Sequence, residues 1–481
     1  MKPTRQLFMH RNGNHPAPVG RASPRGRSLH GGLLLAALWC WAAQAGAASL
    51  PELSFAPTDR ILILAPHPDD EVLGCAGVIQ QAQALKLPVR VVFLTHGDEN
   101  QWSFMVYRKH PVLLPGSVRR MGEVRHQEAL AAGAALGLAA EQMTFLGYPD
   151  FGTLAIWNEH WEASVPYRSL LTRVRAVPYA DAMRPGAPHK GEEILRDLTT
   201  VLREFRPTKV FVSHPADHNG DHRALYLFTR VALWDLAAEL KPEIFPYLIH
   251  FRQWPPRTRS LVNEPLAPPQ KLRDALPWRS LSLTPAQVER KLAALQAHRS
   301  QYQSNRRYLR SFVRVNELFG DFHGGVLPLV LTNASPEPLI VGGGELSLPE
   351  QLTDAERAEF VGVDLQFARI EDNHLVLTLQ LSRPLVNEVQ AVVSVFGYRA
   401  DRPFRLMPKV RIRLGELTAT ATDQTTKLAP KTVTVTRDKQ QIVLRIPRGT
   451  LGNPARVMVG ARTTLVEVPL DWVAWRILEW P

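Results

Sequence analysis

Three short, continuous apolar runs constrain this chain more than any other feature: Arg60-Ile-Leu-Ile-Leu-Ala65, Val89-Arg-Val-Val-Phe-Leu-Thr95 and Lys209-Val-Phe-Val-Ser213. Short apolar runs without alternation suit strands buried on both faces, which is the condition of a parallel sheet. Amphipathic stretches separate them, Glu71 to Leu85, Arg120 to Leu136 and Gly191 to Phe205, the second ending at Gly137 and the third before Pro207. Strands alternating with helices predict a Rossmann-like α/β fold, a parallel sheet with helices on both faces. Ligands in such sheets bind beyond the carboxyl ends of the strands, so the polar residues after Ala65, Thr95 and Ser213 are expected on one rim.

The rim residues carry chemistry. Ala65-Pro-His67-Pro-Asp69-Asp70-Glu71 leaves the first strand, and Ser213-His214-Pro-Ala-Asp217-His218-Asn219-Gly-Asp221-His222 leaves the last. Imidazole nitrogen and carboxylate oxygen are the ligands of a borderline-soft divalent ion such as zinc, and a catalytic site keeps one position open. His67 and Asp70, three apart on a proline-bounded turn, can grip one ion while Asp69 faces the water. His222 can supply a third ligand, and Asp221 or Asp217 can orient an imidazole through its other nitrogen. Singly, each aspartate is as well explained as a helix cap.

These residues resemble the PIG-L / LmbE-like family of zinc-dependent N-acetylglucosamine deacetylases, through His67-Pro-Asp-Asp-Glu71 and Asp221-His222-Arg-Ala224. The resemblance runs over roughly residues 59 to 312. It implies one Zn2+ per chain held by His67, Asp70 and His222, with Asp69 as general base. Arg125-x-x-Glu128 and Leu146-Gly-Tyr-Pro-Asp150 resemble family elements associated with the sugar pocket, which makes Arg125 and Asp150 the expected substrate-binding residues. His298-Arg-Ser-Gln301 resembles a late family element. One position departs from the pattern. Where the family often has a histidine that stabilises the oxyanion or protonates the leaving amine, this chain has Asn219, and an amide cannot deliver a proton. His218 and His214 are the candidates to take over, with Asn219 and Asp221 completing the expected catalytic set.

The first 47 residues read as a secretory signal: Lys2, Arg5, Arg11, Arg21, Arg25 and Arg27 without an acid, an apolar run from Gly32 to Ala43, and the small-x-small site Ala45-Gly-Ala47. That run is too short to span a bilayer core, so cleavage near Ala48 would leave an exported, periplasmic or secreted protein with no stable membrane span. Removing those six basic residues lowers the formal charge from +12 to +6, and no block of Lys/Arg interleaved with aromatics remains to suggest nucleic acid as a partner. Cys75 is then the sole cysteine, so no intramolecular disulfide can form.

Four regions follow: a signal over residues 1–47, the deacetylase-like domain over 48–327, a Pro/Gly-rich linker over 328–349, and a C-terminal β-rich domain over 350–481 that reads as an all-β sandwich from its period-two stretches. Residues 285 to 309 read as one helix. The segment from Phe151 to Lys190 lacks periodicity but holds Trp157, Trp161, Tyr167 and Tyr179, which either stack on a sugar or pack the insertion. The expected activity is removal of an N-acyl group, N-acetyl foremost, from an amino sugar or glycan. The competing readings are a metal-dependent hydrolase of other amides or esters and a silent carbohydrate-binding protein; oligomeric state is not legible.

Overall fold

The computed structural model describes residues 50–100, 106, 114–162, 164–256, 262–330, 339–343, 352–386, 388–466 and 468–481. The expected signal over 1–47 and much of the expected linker lie outside these residues. From Leu50 to Pro481 the chain is one compact unit.

Five strands, β1 (Ile61–Ala65), β2 (Val89–Thr95), β3 (Met143–Tyr148), β4 (Lys209–Ser213) and β5 (Glu243–Tyr247), form a sheet in the order β3-β2-β1-β4-β5, with every neighbouring pair parallel. Alternation of side chains along β1 assigns Ile61, Ile63 and Ala65 to one core cluster and Leu62 and Leu64 to another. Helices α1 (Asp70–Ala84) and α2 (Pro115–Ala135) cover the first face. On the second lie α3 (Thr153–Glu159), α4 (Gly191–Phe205) and α5 (Gly220–Asp235). The strand order reverses between β1 and β4, so the loops after these two strands flank the crevice at the switch point.

A hairpin of β6 (Arg279–Ser282) and β7 (Asn316–Phe319) brackets two further helices, α6 (Pro285–Ala297) and α7 (Arg299–Arg310). The single helix expected over 285 to 309 is thus broken at His298, whose ψ of 61° is not helical, and kinked again at Asn305. The break follows from side-chain anchoring: His298 turns inward to Glu71 at 2.9 Å, and Glu128 caps the new helix by accepting the Ser300 amide at 2.9 Å.

The C-terminal region is two antiparallel-dominated sheets facing across a third core cluster that includes Ile370, Leu377, Val393, Ile412 and Val459. Gly325–Val326 already pairs with Val468–Glu479, so the β region begins before the expected linker. Strand Val389–Tyr398 is buried on both faces, because Phe396 and Tyr398 point away from the sandwich into the core shared with α3 and α5. Trp157 and Trp161 occupy that same core, fully buried against Phe228, Phe396 and Phe404. They pack the insertion and are not exposed for sugar stacking. No helix among the described residues is long and apolar enough to cross a membrane.

Candidate metal centre

The turn after β1 delivers His67, Asp69 and Asp70 within four residues. Asp69 adopts φ 122°, a region L-residues rarely enter, and its carbonyl accepts the amides of Val72 and Leu73, starting α1. The strained residue is held from both sides: its own amide donates to Glu71 Oε2 at 2.9 Å, and Arg125 Nη2 lies 3.5 Å from its carboxylate. Arg125 in turn donates to the carbonyls of Pro68 and Gly97, clamping the loops after β1 and β2 together. Gly97 has φ +65°, and a Cβ there would collide with the Arg125 guanidinium.

His67, Asp70 and His222 converge. His67 Nδ1 and His222 Nε2 each stand 3.1 Å from the same oxygen, Asp70 Oδ2. Tetrahedral ligands with bonds of about 2.0 to 2.1 Å lie about 3.3 Å from one another, so this spacing fits one divalent ion. Neither ring nitrogen of the buried His222 meets hydrogen-bond geometry with a neighbour, which leaves Nε2 available as a ligand. The outward nitrogens rest on carboxylates: His222 Nδ1 is 3.0 Å from Asp217, and His67 Nε2 is 3.1 Å from Asp150 and 3.2 Å from Asp221. Such partners set the tautomer and the ring plane. Asp221 is itself oriented by the amides of Phe151 and Thr153 and by the Thr153 hydroxyl.

The electrostatics follow from this crowding. Burial alone would raise the Asp70 carboxyl, but the His222 and His67 imidazoles outweigh it and hold it well below the usual range. Burial opposes charge on His222, yet Asp217 and Asp70 push it up to about 9. Burial raises Asp69 to about 7 against the pull of Arg125.

A cavity of about 250 Å³ opens on this cluster, lined by His67, Asp69, Asp70, Arg125, Asp150 and Asn219. Asn100 and Gln301 also line it, joined by a 3.1 Å hydrogen bond. Asn219 is also the N-cap of α5, where its Oδ1 accepts the Asp221 amide at 2.8 Å and leaves its NH2 as the remaining donor.

The two histidines expected to replace the missing family imidazole are elsewhere. His214 is fully buried, stacked near Trp278, and burial pushes it down to about 3. His218 packs on Phe251 and Trp472 and lines a different cavity; burial pushes it down to about 4. Besides His67, the imidazole that lines this cavity is His250, three residues beyond β5. Its ring meets His222 edge-to-face at 4.8 Å, its amide donates to Asp217 Oδ2 at 2.9 Å, and Tyr308 lies 3.3 Å from its Nδ1. The signal that could have found it is positional: it follows the end of a parallel strand beside the switch point. Asp217, His222 and His250 also form a possible ligand group, sharing His222 with the first.

The chain is similar to known proteins over part of its length. Residues 62–233 match the family model described as PIG-L: GlcNAc-PI de-N-acetylase. A 1D-myo-inositol 2-acetamido-2-deoxy-alpha-D-glucopyranoside deacetylase of a Mycobacterium species is 29% identical over 183 residues, which is 37% of this chain and 52% of that protein. One named likewise from Saccharopolyspora erythraea is 32% identical over 167 residues, 34% of this chain and 48% of the relative. The chain thus spans about half the length of these relatives. Among solved structures, N,N'-diacetylchitobiose deacetylase from Pyrococcus horikoshii is 21% identical, covering 54% of this chain and 82% of that one, with a TM-score of 0.34.

Proposed function

Residues 62–233 are a PIG-L family domain, and from that premise we propose that this chain is a metal-dependent hydrolase that removes an N-acyl group, N-acetyl foremost, from an amino sugar or glycoconjugate. The observation that carries the reading is the convergence of His67 Nδ1 and His222 Nε2 on one oxygen of Asp70, with Asp69 lining the same cavity.

His67, Asp70 and His222 would hold a single zinc ion; two imidazoles and a carboxylate are a donor set suited to it. A bound ion of this kind polarises an amide carbonyl and lowers the pKa of water toward about 7. The chain's own residues do the rest. Asp69 takes the proton of the attacking water and holds it within reach of the leaving nitrogen. Asp217, Asp150 and Asp221 keep both imidazoles in the ligating orientation. The Asn219 NH2 and the His250 ring offer hydrogen bonds to the reacting amide as charge develops on its oxygen. Arg125 fixes the loops that carry Asp69, and Asn100 and Gln301 offer polar groups to sugar hydroxyls. The proposal includes export, on the strength of the leader over residues 1–47.

The test is acetate release from N-acetylglucosaminides by the zinc-loaded protein. Asp69→Asn is expected to keep zinc and lose turnover by at least about a hundredfold; His222→Ala is expected to lose zinc. Full deacetylation by Asp69→Asn would overturn the assignment of the base.

A further inference from the structure

Arg223 follows His222 directly on α5, yet its side chain lines a second cavity of about 160 Å³, where the α/β layer meets the seven-stranded sheet. His218 lines this cavity while its neighbour Asn219 lines the metal cavity, so the two spaces flank one short loop. Arg411, Arg462 and Trp472 come from the β layer. No carboxylate is among the lining residues.

The wall is rich in donors. Arg223 has no carboxylate partner among the described residues; its guanidinium reaches the His218 carbonyl at 3.4 Å and lies 5.4 Å from the Trp472 ring centroid. Its Nε, the Trp472 Nε1 and the His218 Nε2 are buried without a hydrogen-bond partner. Arg411 is engaged by Glu159, although its Nε too lacks a partner. Two guanidinium groups that line one partly enclosed space, with no carboxylate in its wall, are stabilised together by negative charge between them.

We propose that this cavity is an oxyanion-binding site, in which a carboxylate, sulfate or phosphate group sits between Arg223 and Arg462 with Trp472 beside it. Planar guanidinium forks suit such groups. The anion is either free or carried by the substrate, and its binding does not depend on the reaction proposed for the metal cavity.

The experiment uses the full zinc-loaded chain and thermal melts in sodium sulfate against sodium chloride at matched ionic strength. A saturable rise in melting temperature with sulfate is expected, with half-saturation moved upward by at least about tenfold in both Arg223→Gln and Arg462→Gln. The exposed Arg168→Gln is expected to keep the wild-type response. Sulfate stabilisation no greater than that of chloride, or unchanged in Arg223→Gln, overturns the proposal. A second arm compares KM for N-acetylhexosaminides with and without a carboxylate or sulfate group. A preference for the acidic compound that vanishes in Arg462→Gln assigns the site to substrate, and sulfate stabilisation without such a preference assigns it to a free anion.

Discussion

Glu71 joins two residues that the chain separates widely: its Oε1 lies 2.9 Å from Nε2 of His298, and its Oε2 accepts the amide of Asp69 at 2.9 Å. The side chains of Glu71 and His298 are fully buried. The break between α6 and α7 therefore supports the strained residue proposed as the base. Removing the imidazole leaves a buried carboxylate without its counter-charge, which costs about 3 to 5 kcal/mol. His298→Ala is expected to lose that much stability in denaturant melts and to lower kcat, while zinc content measured by elemental analysis stays at wild-type level.

Asp217 carries more than one load. Besides facing His222 Nδ1 at 3.0 Å, its Oδ2 accepts the amides of Ile249 and His250 at 3.1 and 2.9 Å, and its Oδ1 accepts that of Asn219 at 2.8 Å. It ties the loop after β4 to the loop after β5 while facing the imidazole of His222, one of the proposed zinc ligands. Asp217→Asn keeps the shape but removes the charge. Zinc affinity, read by competition with a chelator, is expected to fall by about 10- to 100-fold.

The sheet and the convergence of His67, Asp70 and His222 were legible for physical reasons. Strands buried on both faces leave continuous apolar runs, and His67, Asp70 and His222 sit where two of those runs end. β5 was not legible, because Glu-Ile-Phe-Pro-Tyr opens with an exposed acid and contains a proline, which masks a strand at the sheet edge. Without that strand, His250 had no position from which to be read as a rim residue. The break at His298 was hidden for a different reason. It uses no glycine or proline, only buried partners distant in sequence, so helical periodicity continues through it. Trp157 and Trp161 illustrate a limit of composition, since a ring that can stack on a sugar can equally fill a core.

A second buried pair enters the helix that carries Asp70. Lys291 Nζ donates to the Leu73 carbonyl at 2.9 Å and to Glu317 at 2.7 Å, and Glu317 accepts the amide of Gly77 at 2.9 Å. The pair thus takes up polar groups of the α1 backbone. Lys291→Met leaves Glu317 buried and uncompensated, with an expected loss of about 3 to 5 kcal/mol. Lys291→Met combined with Glu317→Gln is expected to recover part of that loss in urea melts, since a neutral amide needs no counter-ion.

Lys409 supplies a pH signature of the shared core. Its Nζ is buried 4.7 Å from the Trp161 ring centroid and 4.1 Å from that of Phe404, donating to the Met407 carbonyl at 2.7 Å. Burial pushes the amine down from 10.5 to about 7. Between those values the unfolded chain binds the proton and the folded chain does not, so this group's contribution to stability rises with pH from about 7 to 10.5 and is flat below. The melting temperature of the wild type relative to Lys409→Met is therefore expected to climb between pH 7 and 10 and to hold level between pH 5 and 7. A constant difference across both ranges would show that the amine keeps its proton in the core.

The relation between His250 and Asn219 permits the sharpest test of the proposed reaction. Both line the cavity at His67 and Asp70, from loops after neighbouring strands, and Asn219 takes the position where the sequence resemblance implies an imidazole. If His250 has taken over the contact to the reacting amide, His250→Ala should lower kcat by about 100- to 1,000-fold, the usual worth of one such hydrogen-bonding group, with KM and zinc content little changed. Adding Asn219→His to that variant returns an imidazole to the cavity from the other loop. Partial recovery of kcat in the double variant is the expected result, whereas Asn219→His alone should change kcat little. A double variant no faster than His250→Ala would show that the imidazole at position 250 acts through the packing of His222 instead, since its ring lies against that ligand.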